Sequence, residues 1–213
     1  MWGWVRAMAG RGFFICIEGL DCCGKTTQSL RLVEALRGLG FDAVYTAEPS
    51  GGEVGDLIRR RILDRRRRVP VVVEAVLFAA DRLDHVEGVI KPMLSEGKIV
   101  VSDRYLYSSL AYQGAAGLDI GWLLEINRFA PKPDLAIYID VPPERLVVRF
   151  GHRRSVMEYL EVQREVYKVY RMLVDDGRLI PVDGDRPIDE VSRDIVGLVL
   201  DRLRVRGMTP SHG

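Results

Sequence analysis

Eight residues constrain this chain more than any others: Gly19-Leu20-Asp21-Cys22-Cys23-Gly24-Lys25-Thr26. They follow the apolar run Phe13-Phe14-Ile15-Cys16-Ile17 and precede a segment with helical patterning. Gly-x-x-x-x-Gly-Lys-Thr between a strand and a helix is a phosphate-binding loop. Its glycines let the backbone curl until several N–H groups converge on phosphate oxygens. The helix that starts after Gly24 adds the positive end of its dipole. Lys25 supplies a mobile charge for the outer phosphates, and the Thr26 hydroxyl is a ligand for Mg²⁺. With Thr27 closing the segment, residues 19–27 are expected to bind ATP or another nucleoside triphosphate.

The rest of the chain alternates strand-like apolar runs with helical stretches. Strands are predicted over 12–18, 42–47, 98–102, 135–140 and 179–182. Helices are predicted over 25–38, 54–63, 71–95, 106–114, 120–128, 143–150, 156–175 and 188–206. Continuous apolar runs suit strands buried on both faces of a parallel sheet. The alternation therefore predicts an α/β fold, a three-layer, doubly wound, five-stranded parallel sheet of P-loop architecture. A length of 213 residues suits one such domain, expected over 12–206. Residues 1–11 read as an extension and 207–213 as a disordered tail. In an open parallel sheet the ligand crevice lies beyond the carboxyl ends of the strands. Glu48-Pro49-Ser50 and Asp103-Arg104-Tyr105 fall there with the phosphate loop.

Charge and cysteine content narrow the partners. The net charge of +1 gives no global field for nucleic acid, and none is expected as a partner. The run Arg59 to Arg68 holds seven arginines in ten residues. It reads mainly as a solvated helix end, with Arg59 kept as a candidate phosphate contact. No apolar run approaches the ~20 residues that span a bilayer, so no membrane association is expected. Three cysteines, two of them adjacent, form neither a disulfide framework nor a metal-ligand spacing. A reducing cytoplasm is the expected compartment. Cys22 and Cys23 read as filling variable loop positions; the second reading is a redox role, since a phosphate nest would depress a thiol pKa.

Ile99-Val100-Val101-Ser102-Asp103 is an apolar strand ending in an acid. Asp103 reads as a holder of Mg²⁺ or its waters, with a helix N-cap as the alternative. The sequence from here resembles the thymidylate kinases. Asp103-Arg104-Tyr105 through Ser109 and Ala111-Tyr112-Gln113-Gly114 is similar to a segment of that family, and Phe78-Ala79-Ala80-Asp81-Arg82 to its Phe-x-x-x-Arg element. Glu48-Pro49 and Asp140-Val141-Pro142 are similar to its strand exits. The resemblance runs over about 12–206.

The resemblance implies an ATP- and Mg²⁺-dependent kinase of dTMP, a homodimer, and a role for each matching residue. Phe78 would stack on thymine and Arg82 would hydrogen-bond a base carbonyl, for which a planar fork suits better than lysine. Ser109 and Gln113 would make polar contacts to the base. Tyr112 would lie against the deoxyribose and crowd out a 2′-hydroxyl. Asp21 would bind the 3′-hydroxyl and Arg104 clamp the 5′-phosphate, with Glu48 and Pro49 in the acceptor loop. Ala47 and Ser50 stand where many members carry arginine, and Arg59 is the candidate replacement. The phosphate loop lacks a basic residue at 20–23, a pattern in which the lid supplies the arginine. The short lid at 150–156 then makes Arg153 the first candidate and Arg154 the second, with Arg149 against adenine. Together with Lys25, Arg104 and Asp103, Arg153 would form the catalytic set. The alternatives are a related kinase of another nucleotide or deoxynucleoside, and a non-catalytic regulatory P-loop protein.

Overall fold

The computed structural model describes residues 12–63, 69–147 and 156–210. Five parallel strands form one sheet: β1 (Phe13–Gly19), β2 (Ala43–Ala47), β3 (Ile99–Asp103), β4 (Leu135–Asp140) and β5 (Ile180–Asp183). Their order is β2-β3-β1-β4-β5. β1 sits at the centre, pairing Phe13 with Ile99 on one side and Ile15 with Leu135 on the other. Every β1 residue is buried, which explains its unbroken apolar run.

The first crossover leaves β1 toward β2, and all later ones run back the other way. Right-handed crossovers then place their helices on opposite faces. α1 (Lys25–Gly38) packs with α9 (Ile188–Arg206). On the other face α3 (Val71–His85) packs on α5 (Leu106–Ala115), which packs on α8 (Val156–Asp175). α2 (Glu53–Ile58), α4 (Lys91–Ser95), α6 (Ile120–Ile126) and α7 (Pro143–Leu146) complete the connections. The direction of winding reverses between β1 and β3, and the crevice opens there, beyond their carboxyl ends.

The predicted long helix over 71–95 is interrupted. A π-helical turn, Val86–Ile90, separates α3 from α4. Pro92 has no N–H to give the carbonyl four residues back, so the regular ladder cannot pass through it. A second π-turn, Arg59–Leu63, follows α2. α6 stops at Ile126 rather than at residue 128, because Asn127 turns its side chain inward. The tail reading also changes at its start. Gly207, at φ 73°, ends α9 with its N–H on the Arg204 carbonyl, and Met208 N–H reaches the Leu203 carbonyl. This is a Schellman cap, and it brings Met208 against the core. Residues 1–11, the Arg65 to Arg68 part of the basic run, and the lid arginines Arg149, Arg153 and Arg154 lie outside the described residues.

Candidate active site

The loop between β1 and α1 has the backbone its sequence requires. Cys22 and Gly24 take φ values of 64° and 101°, and α1 begins at the next residue. Only glycine enters this region without strain, so Gly24 is fitted to its place and Cys22 is strained in its own. Lys25, which is buried, bridges the loop by donating from Nζ to the Leu20 carbonyl at 2.6 Å. Burial pushes the Cys23 thiol above its usual range although Lys25 opposes the shift. This removes the ground for the second, redox reading at Cys23, whose side chain packs into the core.

β3 delivers Asp103 opposite Thr26. The Thr26 hydroxyl donates to Asp103 Oδ2 at 2.5 Å. Asp103 Oδ1 is buried and has no hydrogen-bond partner among the described residues. The N-cap reading does not hold, since the residue flanking α5 is Tyr105. A hydroxyl and a carboxylate with an unengaged oxygen are hard donors suited to Mg²⁺, which takes few protein ligands and completes its shell with water and phosphate. No protein-only cage of three or more His, Cys, Asp or Glu side chains exists among the described residues.

Arg104 follows with φ 71°, a left-handed conformation that is unusual for a residue with a side chain. Its N–H is fixed on the Ile17 carbonyl at 3.0 Å. The guanidinium pairs with Asp21, donates to Ser108 Oγ at 3.1 Å and lies 5.1 Å from the centre of the Tyr112 ring. Asp21 also accepts from the Tyr112 hydroxyl at 2.9 Å and from the Tyr159 hydroxyl. Burial raises the Asp21 carboxyl, but the charges of Arg104 and Lys25 and the two phenols outweigh it and hold the group below the usual carboxylate range. The structure thus brings Asp21 of the phosphate loop together with Arg104 and Tyr112 of the segment after β3 in one cluster.

The second wall is formed by α3, α5 and the loop after β2. Ser50 is held by Asp81, which accepts from its N–H at 2.8 Å and its hydroxyl at 2.6 Å. Arg59 reaches the same loop, donating to the carbonyls of Pro49 at 2.9 Å and Ser50 at 2.7 Å. It therefore places a cation beside Ser50, one of the positions where arginine is missing. Phe78 is partly buried on α3.

Arg82 is enclosed by protein partners. It is 1 % exposed, and its guanidinium donates to Glu48 Oε2 at 2.7 and 3.0 Å, Asn127 Oδ1 at 2.6 Å, and the Tyr105 carbonyl and Ser109 Oγ at 3.1 Å. Glu48 and Ser109 are buried in this same network, and His85 joins it with Nδ1 3.4 Å from Glu48. An ion pair so enclosed ties the β2 loop to α3 and α5 and is strongly destabilised if one partner is removed. Gln113, also buried, donates to Glu74 Oε1 at 2.7 Å.

Several site residues escape a reading of motifs. Glu18 is fully buried at the end of β1 and accepts from Tyr105 N–H at 2.9 Å, Ser108 Oγ at 2.6 Å and Tyr170 at 3.0 Å. Burial raises its carboxyl pKa against those hydrogen bonds. An acid closing an otherwise apolar strand was the available signal. Tyr159 and Gln163, which accepts from Asp21 N–H at 3.2 Å, arrive from α8 with no local signal at all.

Residues 17–195 match the protein family described as thymidylate kinase. A probable thymidylate kinase of Pyrococcus horikoshii is 44% identical over 204 residues, covering 91% of this chain and 98% of that protein. One of Pyrococcus abyssi is 44% identical over 201 residues, with the same coverage. One of Staphylothermus marinus is 40% identical over 195 residues, covering 90% of this chain and 96% of its own length.

Proposed function

The chain belongs to the thymidylate kinase family and is a dTMP kinase, and we propose that it works by the lid-arginine arrangement of that family. The observation that carries the reading is the convergence of the Asp21–Arg104–Tyr112 cluster and the Thr26–Asp103 pair at the ends of β1 and β3. One holds a phosphorylated deoxysugar; the other faces the donor triphosphate.

Phosphoryl transfer asks for positioning and charge neutralisation more than covalent chemistry. The nucleophile is already a phosphate oxygen of dTMP, so no side chain has to remove a proton from it. Residues 19–27 cradle the ATP phosphates and Lys25 leaves the Leu20 carbonyl to meet them. Thr26 and Asp103 would hold Mg²⁺, which neutralises charge on the β- and γ-phosphates when bound. Arg104 grips the acceptor phosphate, and Arg59, held on the loop after β2, is the second candidate contact. Asp21 takes the 3′-hydroxyl, and Tyr112 stands where a 2′-hydroxyl would project. The base lies on Phe78. Arg82 supports that wall through Glu48 and Ser109, and its carbonyl contact rests on the family resemblance. Arg153 from the lid completes the charge balance, with Arg154 as the second candidate and Arg149 against adenine.

Exposed Val72, Val73 and Val76 on α3, with Leu57 on the adjoining α2, support a homodimer. No helix among the described residues is long and apolar enough to cross a membrane, and a cytoplasmic location fits nucleotide metabolism. A coupled assay of ADP release with ATP and Mg²⁺ tests the reading, comparing dTMP, dUMP, UMP, dCMP and no acceptor. Strong turnover with dTMP, weaker with dUMP and negligible with UMP is expected. Equal rates with UMP would remove the role given to Tyr112, and turnover independent of any acceptor would remove the kinase reading.

A further inference from the structure

Two polar pairs join α3 to α5. Arg82 donates to Ser109 at 3.1 Å, and Gln113 Nε2 donates to Glu74 Oε1 at 2.7 Å. Glu74, Phe78 and Arg82 recur at four-residue intervals along one face of α3, as Ser109 and Gln113 do on α5. Phe78 is therefore bracketed by the two pairs.

The Glu74 pair fixes more than a contact. An ionised carboxylate only accepts hydrogen bonds, so Glu74 can hold the Gln113 amide only by its NH₂ end. The amide oxygen is then turned away from Glu74. Gln113 is 3% exposed, and this oxygen has no hydrogen-bond partner among the described residues. A buried acceptor without a donor is costly, and a ligand that brings a donor relieves that cost. The imide N3–H of thymine or uracil is such a donor. Cytosine presents a bare acceptor at N3.

We propose that Glu74 is a positioning residue for base selection. It locks the Gln113 amide with its oxygen toward the base, so the site takes a pyrimidine with a protonated N3 and turns away one without. The inference rests on the placement of the acceptor base beside Phe78.

The test compares kcat/KM for dTMP and dCMP in the wild-type protein, in Glu74→Gln, and in Glu74→Gln combined with Gln113→Glu. In the single variant the amide can turn over, because the new side chain donates as well as accepts. The dTMP-to-dCMP ratio is expected to fall about tenfold or more. The loss should lie mostly in the acceptor KM, with the KM for ATP unchanged. In the double variant donor and acceptor are exchanged across the pair, and the new carboxylate again offers an acceptor to N3–H. The ratio should recover toward the wild-type value, which a merely structural pair would not produce. Glu74→Ala, which frees the amide without a new partner, should lower the ratio as well and gives an independent reading if the glutamine variant does not fold. An unchanged ratio in the single variants, or a fall that the double variant does not reverse, overturns the proposal. A wild-type protein that uses dCMP as well as dTMP overturns the placement of the base instead.

Discussion

Asp21 and Glu18 lie three residues apart, and their surroundings push them in opposite directions. Asp21 faces Arg104, Lys25 and two phenols, which hold its carboxyl low in spite of burial. Glu18, enclosed at the end of β1, is raised by burial. A carboxyl lowered on folding contributes stability that is present above its unfolded pKa, about 3.9 for Asp, and lost as pH falls through the folded value. Acid unfolding followed by urea midpoints below pH 5 should therefore fall more steeply for the wild type than for Asp21→Asn. Parallel curves would show that the cluster does not act through Asp21 charge. Glu18 has the opposite sign: stability drains as pH rises from the ordinary Glu value through its raised one. Glu18→Gln should flatten that part of the profile. The same substitution weakens the hold on Tyr105 N–H and Ser108, and through Ser108 on Arg104, so the KM for dTMP is expected to rise while that for ATP stays put. Lys25, Thr26 and Asp103 are candidates from motif spacing, and Asp21 and Arg104 from the resemblance to the family; each is marked by the few residues around it. Glu18 belongs to no local motif, because its partners lie 87 to 152 residues away.

At the scale of elements, the loop after β2 is held from three directions. Asp81 on α3 binds Ser50, Arg59 spans the Pro49 and Ser50 carbonyls, and Gly55 lets α2 close on the loop. A Cβ at Gly55 would stand 2.0 Å from the Ser50 carbonyl oxygen, so any larger residue must move backbone. Gly55→Ala is expected to lower kcat/KM for dTMP by about 10- to 100-fold through misplacement of the acceptor loop, with ATP binding preserved. Isothermal titration with each nucleotide separates the two effects, and equal losses for both would contradict it. For the lid, Arg153→Ala should cost ~10³-fold in kcat, with Arg154→Ala far milder. Single-turnover rates decide between them, and a reversed order would move the role to Arg154. Apolar periodicity continues through Val86 and Ile90, so the pattern over 71–95 carries no mark of the π-turn. Pro92 was the visible warning, but proline is also at home in a first helical turn, as it is here in α4.

Across the whole molecule, the reversal of winding between β1 and β3 makes the site a meeting of distant segments. Asp21, from the first loop, accepts from Tyr112 on α5 and Tyr159 on α8, 91 and 138 residues on. The proposed homodimer belongs to this scale. Val76→Glu on the exposed face of α3 should shift sedimentation from dimer to monomer with the fold retained, and an unchanged dimer would place the interface elsewhere. The sequence by itself determined the α/β class and the phosphate loop. These depend on local spacing and on alternation of apolar and polar segments, and both are written in linear order. The tertiary structure alone decided that Arg82 is enclosed by Glu48, Asn127 and Ser109, that Arg59 reaches the loop after β2, and that Gln113 donates to Glu74. Each depends on which helix face meets which across a folded sheet, and packing sets that geometry, not the spacing of residues along the chain.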